Sequence, residues 1–385
     1  MGMAVVVVMG GIGVVAVRAD EPAALQEVWH YKAEEVNGEP ADLTDPAVEK
    51  GVVYFGDSTG AVRAVDAGKN EKVWTANVPD RVESVVVDDK LVYAAGLKGL
   101  AALKKGTGEV AWRLDVAEGT GDCVADAVSE MVFVGGSDGI LYGLDRNTGE
   151  QKWKHSMIEE GVKSDKNARM GARTARPTGI STDGTMVFLS VFDQSRVIAC
   201  DAATGERKWA FTAKGWIWGA PAFDASRVFV GTQDDYVYCL EKISGEVEWK
   251  YKTKSRIVST PLVMGELVIV PSCDGFLYAL KKGTGELAWK VETEVNEKGK
   301  HQAIYSEPVL SKGLVWFAAG DGHVYGVDAA KGETVVKFVA SAGSELYSTV
   351  GTDGEYLCVT SRRRRGAEGP VSGENAVLGF KLGGE

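Results

Sequence analysis

Basic residues are in the minority in this 385-residue chain. Lysine and arginine number 43 against 54 aspartates and glutamates, a formal net charge of −11. Nucleic-acid binders work by neutralising phosphates and have the opposite balance, so that class is disfavoured. Cysteine is scarce too: Cys123, Cys200, Cys239, Cys273 and Cys358, dispersed and without a Cys-x-x-Cys pair. An odd count leaves at least one unpaired, and the set reads as small buried hydrophobes on strands rather than a zinc site. The four histidines, at 30, 155, 301 and 323, show no metal-ligand spacing. Long apolar runs are absent beyond the N-terminus, so no later stretch reads as membrane-spanning.

The N-terminal run, Ala4 to Val17, is too short to cross a bilayer but suits a signal-peptide core. Val17 and Ala19 satisfy the small-residue cleavage rule, although no lysine or arginine precedes the core. The expectation is a signal peptide over residues 1–19, a single domain over 20–385, and a periplasmic or secreted location. A strand-like or disordered N-terminus is the competing reading. No cysteine lies near the cleavage point, so no lipid attachment is expected there.

Glycine and tryptophan, in contrast, are plentiful. There are 48 glycines and ten tryptophans among residues that are 45% hydrophobic and 25% charged. Glycine at this level, well above the usual ~7%, means many turns. The string Leu144-Asp145-Arg146-Asn147-Thr148-Gly149-Glu150-Gln151-Lys152-Trp153 recurs, with copies ending at Trp74, Trp112, Trp209, Trp249 and Trp289. A degenerate copy ends at Val336, and a partial one at Trp29. Seven of the ten tryptophans therefore occupy one position of a repeat about 40 residues long.

Each unit carries an apolar run such as Val52–Phe55 or Val228–Val230, then a second such as Val62–Val65 or Val237–Leu240. Runs apolar on both faces read as strands stacked between neighbouring sheets. The penultimate residue of the second run is always small: Ala64, Ala102, Gly143, Ala199, Cys239, Ala279, Gly326 and Gly379. A large side chain from an adjacent sheet is expected to fill that space. Gly149, Gly205, Gly245 and Gly332 mark a tight turn needing positive φ, and Asn70 replaces glycine once, as the next most tolerant residue. Asp138-Gly139, Asp274-Gly275 and Asp321-Gly322 suggest a second hairpin of type I′.

Four strands per repeat, arranged radially, make an all-β, eight-bladed β-propeller of antiparallel blades. The C-terminus stops where a tryptophan strand should follow, and Val28-Trp29 supplies one. The two termini are thus expected to share a blade, which removes an open sheet edge.

The Leu-Asp-x-x-Thr-Gly-Glu-x-x-Trp string resembles the tryptophan motif of the PQQ-like repeat family, over essentially the whole chain after residue 19. That resemblance implies the propeller. It includes quinoprotein alcohol dehydrogenases and non-enzymatic scaffolds, and among the latter BamB-like outer-membrane assembly factors are similar in length. The scaffold branch implies loops offered to an envelope protein partner and no cofactor. The dehydrogenase branch implies PQQ with calcium, adjacent cysteines in a ring disulfide and an aspartate base. No two cysteines here are adjacent, and no cluster matches the calcium or base motifs.

Literal motif hits dissolve on inspection. Gly135-Gly136-Ser137-Asp138-Gly139 spells GxSxG, but in a strand-to-strand hairpin rather than a strand-to-helix elbow. Gly11 to Ala16 fits GxGxxA without a βαβ unit. The Asp145-Arg146-Asn147 turn lacks the spacing and distal glutamate of a calcium loop. The reading is a monomeric, non-catalytic exported scaffold for protein–protein interaction. A PQQ-dependent oxidoreductase with an atypical site is the rival, and a carbohydrate- or peptide-binding sensor the third.

Length irregularities gather on one propeller face, the one holding blade-to-blade connections and the hairpin between second and third strands. They are residues 154–176, 291–304 and 361–375. Binding residues concentrate on loops held by a rigid scaffold. Candidate partner contacts on that face are Arg173 and Arg176, Trp216 and Trp218, Arg256, Tyr305 and Glu307. Arg173 and Arg176 are similar to an arginine-bearing inter-blade loop of the BamB-like branch. Trp216 and Trp218 are expected to divide between partner contact and packing between blades. The run Arg362, Arg363, Arg364 and Arg365 reads as a solvated loop tip or, more sharply, as a contact for anionic lipid, polysaccharide or an acidic partner.

Overall fold

A computed structural model describes residues 25–96, 98–116, 120–125, 130–136, 139–157, 177–340, 344–363 and 373–382. The expected signal peptide lies outside them. The described residues form eight antiparallel sheets of a β-propeller. Blade 1 runs outward through Ala47–Glu49, Val52–Gly56, Ala61–Asp66 and Glu71–Asn77. Blades 2 to 7 follow at residues 82–115, 120–156, 177–212, 222–252, 262–292 and 309–339. First strands of neighbouring blades approach one another around the axis. Second strands are buried on both faces, with Val228, Phe229 and Val230 at 0% exposure.

Blade 8 is shared by the two ends of the chain. Its order is Ser344–Leu346, Tyr356–Arg363, Ala376–Lys381, and then Gln26–Lys32, with Gly351–Thr352 also pairing the second strand. Trp29 lies opposite Gly379, the register that tryptophans hold in other blades. A small extra hairpin, Glu35–Val36 with Glu39–Pro40, occupies the connection from blade 8 to blade 1.

The small residues of the third strands have a local explanation. In seven blades each is cross-strand partner to the repeat tryptophan of its own sheet, as Ala64 is to Trp74, Gly143 to Trp153 and Cys239 to Trp249. A Cβ added to Gly143 would stand 2.2 Å from Trp153. The filler therefore comes from the neighbouring strand of the same sheet, correcting the expectation of an adjacent sheet. In blades 1 to 5 a second-strand aromatic flanks the small residue on its other side, as Phe188 does Ala199, its ring 6.0 Å from Trp209. Blade 7 reverses the order. Val336 stands in the tryptophan position, and Trp316 on the second strand fills the space over Gly326. The bulky group changes strand while the row keeps one, as close packing demands.

A β-bulge precedes the tryptophan position in all eight blades, including Val28 in blade 8. A bulge re-aims the side chain that follows it. Here it turns the indole toward the next blade. Trp74, Trp112, Trp153, Trp209 and Trp249 each donate Nε1–H to a carbonyl there, of Lys105, Arg146, Ala202, Lys242 and Lys282 respectively, at 2.8–3.1 Å. The indole also covers the turn glycine of that blade. Gly245, at φ 74°, would bring a Cβ within 2.6 Å of Trp209. Asn70 adopts φ 54° at the equivalent turn of blade 1.

Several of the residues whose carbonyls accept this bond return a charge. Lys242 Nζ reaches Asp183 of blade 4 at 2.6 Å, and Lys282 reaches Asp224 of blade 5 at 3.5 Å. Lys105 pairs with Glu49, and Arg146 lies 3.6 Å from Asp88. Each such seam is a reciprocal clasp: indole to carbonyl one way, ammonium or guanidinium to carboxylate the other.

The hairpins between second and third strands differ from expectation. Gly275 and Gly322 have positive φ, but Asp274 and Asp321 do not. A type I′ turn needs both. Gly275 N–H instead donates to Ser272 at 3.1 Å, closing a type I turn followed by a left-handed glycine. The aspartate serves as an acceptor, with Asp274 taking the Tyr278 hydroxyl at 2.7 Å and the Phe276 N–H at 3.0 Å.

Candidate functional site

The connection from blade 4 to blade 5 carries Trp216-Ile217-Trp218. Ile217 is the residue that packs inward, at 0% exposure, while Trp216 and Trp218 are 51% and 38% exposed. Alternation decides this: in an extended segment the middle side chain points opposite to its neighbours. Phe192, on the hairpin of blade 4, stands between the two indoles, 4.8 Å from Trp216 and 4.4 Å from Trp218 by ring centroids. The segment is braced from beneath. Gln233 N–H donates to the Trp216 carbonyl at 2.9 Å, and Thr178 Oγ1–H to the Ile217 carbonyl at 2.9 Å. The outcome is a three-ring aromatic patch on a held backbone.

A second group lines the axis on the same face, at the lead-in to the innermost strands. Thr260 Oγ1 accepts from Ala220 N–H at 2.8 Å and donates to Glu307. Thr349 N–H donates to Asp45 Oδ2 at 3.1 Å. Asp45 on blade 1 and Glu307 on blade 7 thus flank Thr349 of blade 8. Asp45 is exposed and Glu307 half-buried, and both are crowded by the inner strands. Loss of bulk water pushes the Asp45 pKa up, against the Thr349 hydrogen bonds and the Arg362 charge. Glu307 is pushed up by burial, opposed by Thr260 and reinforced by Asp45. Tyr305 packs at a tilt against Tyr347, centroids 4.9 Å apart, and Arg256 lies beside Cys273 and Tyr305, which favour its charged form.

Calcium takes six to eight oxygen ligands, with ionised carboxylates prominent. Among the described residues no group of three acidic, histidine or cysteine side chains could hold a metal ion. Cys200, Cys239, Cys273 and Cys358 are free thiols on different blades. Burial pushes Cys200 and Cys239 up to about 12 and raises Cys358 as well, so these are inert core groups.

The structure therefore brings together Asp45, Tyr305, Glu307, Arg256 and Arg362 at the axis, and sets Trp216 and Trp218 apart as an aromatic patch. Arg362 is exposed, on the second strand of blade 8. Arg363 ends that strand, while Arg364 and Arg365 lie outside the described residues, as do Arg173 and Arg176. Phe192 escaped sequence reading, because it follows a buried strand and looks like its continuation.

A family model described as "Outer membrane protein assembly factor BamB" matches residues 14–210 and 193–364. A 1-butanol dehydrogenase (quinone) from Thauera butanivorans is 25% identical over 193 residues, covering 43% of this chain and 30% of that protein. An outer membrane protein assembly factor BamB from Burkholderia pseudomallei is 24% identical over 167 residues, covering 43% of this chain and 40% of that protein. Both matches span less than half of the relative's own length. The crystal structure of BamB from Moraxella catarrhalis superposes with a TM-score of 0.69 at 18% identity, covering 93% of this chain and 99% of that one. That is a likeness of fold.

Proposed function

The chain belongs to the family of PQQ-like repeat β-propellers that the assembly-factor model describes, and from that premise we propose that it is a non-catalytic scaffold of the cell envelope. It would dock a partner protein on the face bearing Phe192, Trp216 and Trp218. The observation that carries this reading is the exposed three-ring patch on a braced backbone. Tryptophan is enriched at interaction hot spots, where a few rigid aromatics supply most of the affinity. The assembly-factor relatives support an envelope location and an outer-membrane assembly partner. Among the described residues no helix is long and apolar enough to cross a membrane.

The test is capture of partners from an envelope extract by the full chain. Trp216→Ala with Trp218→Ala should weaken capture roughly tenfold or more, with a smaller fall in melting temperature than loss of a core tryptophan because both rings are partly exposed. Titration with PQQ and calcium, with dye reduction recorded in alcohol, addresses the oxidoreductase reading. Tight quinone binding with alcohol-dependent reduction would overturn the scaffold reading.

A further inference from the structure

Another surface runs along the outermost strands of blades 5 and 6. Val247–Lys252 and Leu287–Glu292 are sheet edges, each bonded to one neighbour. Their outward backbone groups form a ready template for a further strand. Lys250 and Lys252 share one face of the blade 5 edge, Lys254 follows, and blade 6 contributes Lys290; all four are exposed. Their ammonium groups lie over aromatic rings. Lys250 and Lys252 stand 4.8 and 5.6 Å from the Tyr236 centroid, and Lys254 and Lys290 stand 5.6 and 4.5 Å from that of Phe276.

Among the described residues none of these four lysines has a carboxylate within ion-pair distance. Acids are near, but they are engaged. Glu248 takes Arg227 at 2.6 Å, and Asp234 and Asp274 accept the Tyr238 and Tyr278 hydroxyls at 2.8 and 2.7 Å. Some outer-strand lysines of other blades are satisfied, Lys152 by Glu150, Lys208 by Glu206 and Lys337 by Glu294, whereas Lys72 and Lys154 stand singly on theirs with no carboxylate partner among the described residues. In a protein of net charge −11, this edge is a local reversal of sign.

We propose that the edge of blade 5 accepts an acidic, extended peptide segment of a partner as a fifth strand. The backbone edge supplies hydrogen bonds whatever the sequence, and side chains at alternate positions supply selectivity. Lys250 and Lys252 are two residues apart, so they select carboxylates two residues apart. Opposite charges facing across a strand pair stabilise it. Only a polypeptide can use both the backbone edge and the charges, which favours it over an anionic polysaccharide. Lysines also guard edges against self-association, but that role alone gives no preference for acidic peptides. The inference concerns a surface separate from the aromatic patch and does not rest on the scaffold reading.

The experiment is a fluorescence-anisotropy titration of the full chain with a labelled peptide alternating glutamate and valine. Binding should be measurable at low salt and weaken as salt rises. Lys250→Glu with Lys252→Glu should weaken it roughly tenfold, as two facing charge pairs turn repulsive. Lys154→Glu on blade 3, Trp216→Ala and Trp218→Ala should leave it unchanged, which separates this result from the fate of the scaffold reading. A peptide N-methylated at alternate residues should lose binding, and circular dichroism should show every variant folded. Absence of binding at low salt would overturn the proposal. So would indifference to the Lys250 and Lys252 changes, equal binding of the N-methylated peptide, or preference for dextran sulfate over the peptide.

Discussion

The seam between blades 4 and 5 and the seam between blades 8 and 1 solve one problem with different chemistry. At the first, the Trp209 indole donates to Lys242, covers Gly245, and receives the Lys242–Asp183 ion pair in return. At the second, the Trp29 indole N–H is buried with no acceptor among the described residues, and the turn residue is Asn70. Arg63 takes over. It is 7% exposed, bonds Asp57 in its own blade at 2.5 Å, and reaches Glu34 at 3.1 Å. Its guanidinium lies 5.0 Å from the Tyr31 ring centroid. Tyr31 sits on the N-terminal strand and Glu34 just beyond it, so Arg63 pins the strand that completes blade 8. Four interior seams combine the indole hydrogen bond with an ion pair. At the join between blades 8 and 1 a buried charge stands in place of the indole bond, and it fails sharply when a partner is missing.

That contrast breaks most visibly at Arg63. Burial raises the Asp57 pKa, but Thr59 and Arg63 outweigh it and hold the carboxyl below its ordinary value. Arg63→Ala would leave a carboxylate of 1% exposure uncompensated, at a cost of about 3–5 kcal/mol. Calorimetry should show a large fall in melting temperature. A loss of less than about 1 kcal/mol would mean that charge does not hold this seam.

The interior clasp should respond next, and with a pH signature. Burial raises the Asp183 pKa, yet Lys242 and the N–H groups of Met186 and Thr185 bring it down to about 2 from 3.8. A folded pKa below the unfolded one gives stability present above the ordinary value and lost as pH falls toward 2. Asp183→Asn should therefore cost about 2 kcal/mol at neutral pH and progressively less between pH 4 and 2. Denaturant midpoints measured across that range check it. A cost independent of pH would assign the effect to packing instead.

The smallest effect sharpens the comparison. Trp209→Phe removes a hydrogen bond and Trp29→Phe does not, while both lose similar ring area. The first should cost about 1 kcal/mol more than the second. Equal costs in urea unfolding would show that the indole bond contributes nothing.

Much of the fold was legible because its causes are local and repeated. Asn70 declared its left-handed turn by replacing glycine at one register position, and Trp29 declared the shared blade by standing where the C-terminus leaves a strand missing. The small residues announced a close neighbour, but which sheet it came from depends on register, which no single run contains. Asp274 and Asp321 looked like turn formers by shape and act as hydrogen-bond acceptors, a role that needs the tyrosine four residues on. The site was less readable. Trp216 and Trp218 were visible as candidates, yet their exposure depends on Ile217 taking the inward position. Phe192 comes from another blade. The lysines and arginine of the clasps recur at the repeat spacing and offered a signal, but one drowned by surface lysines until their partners are known.

The pairing of Gln26 with Lys381 has a mechanical corollary. Both chain ends leave the same end of two adjacent antiparallel strands. Tension applied between them would unzip blade 8 one rung at a time rather than shear it. The ring would then come apart at low force from its outer rim inward, with Arg63 as the first substantial resistance beyond the zipper.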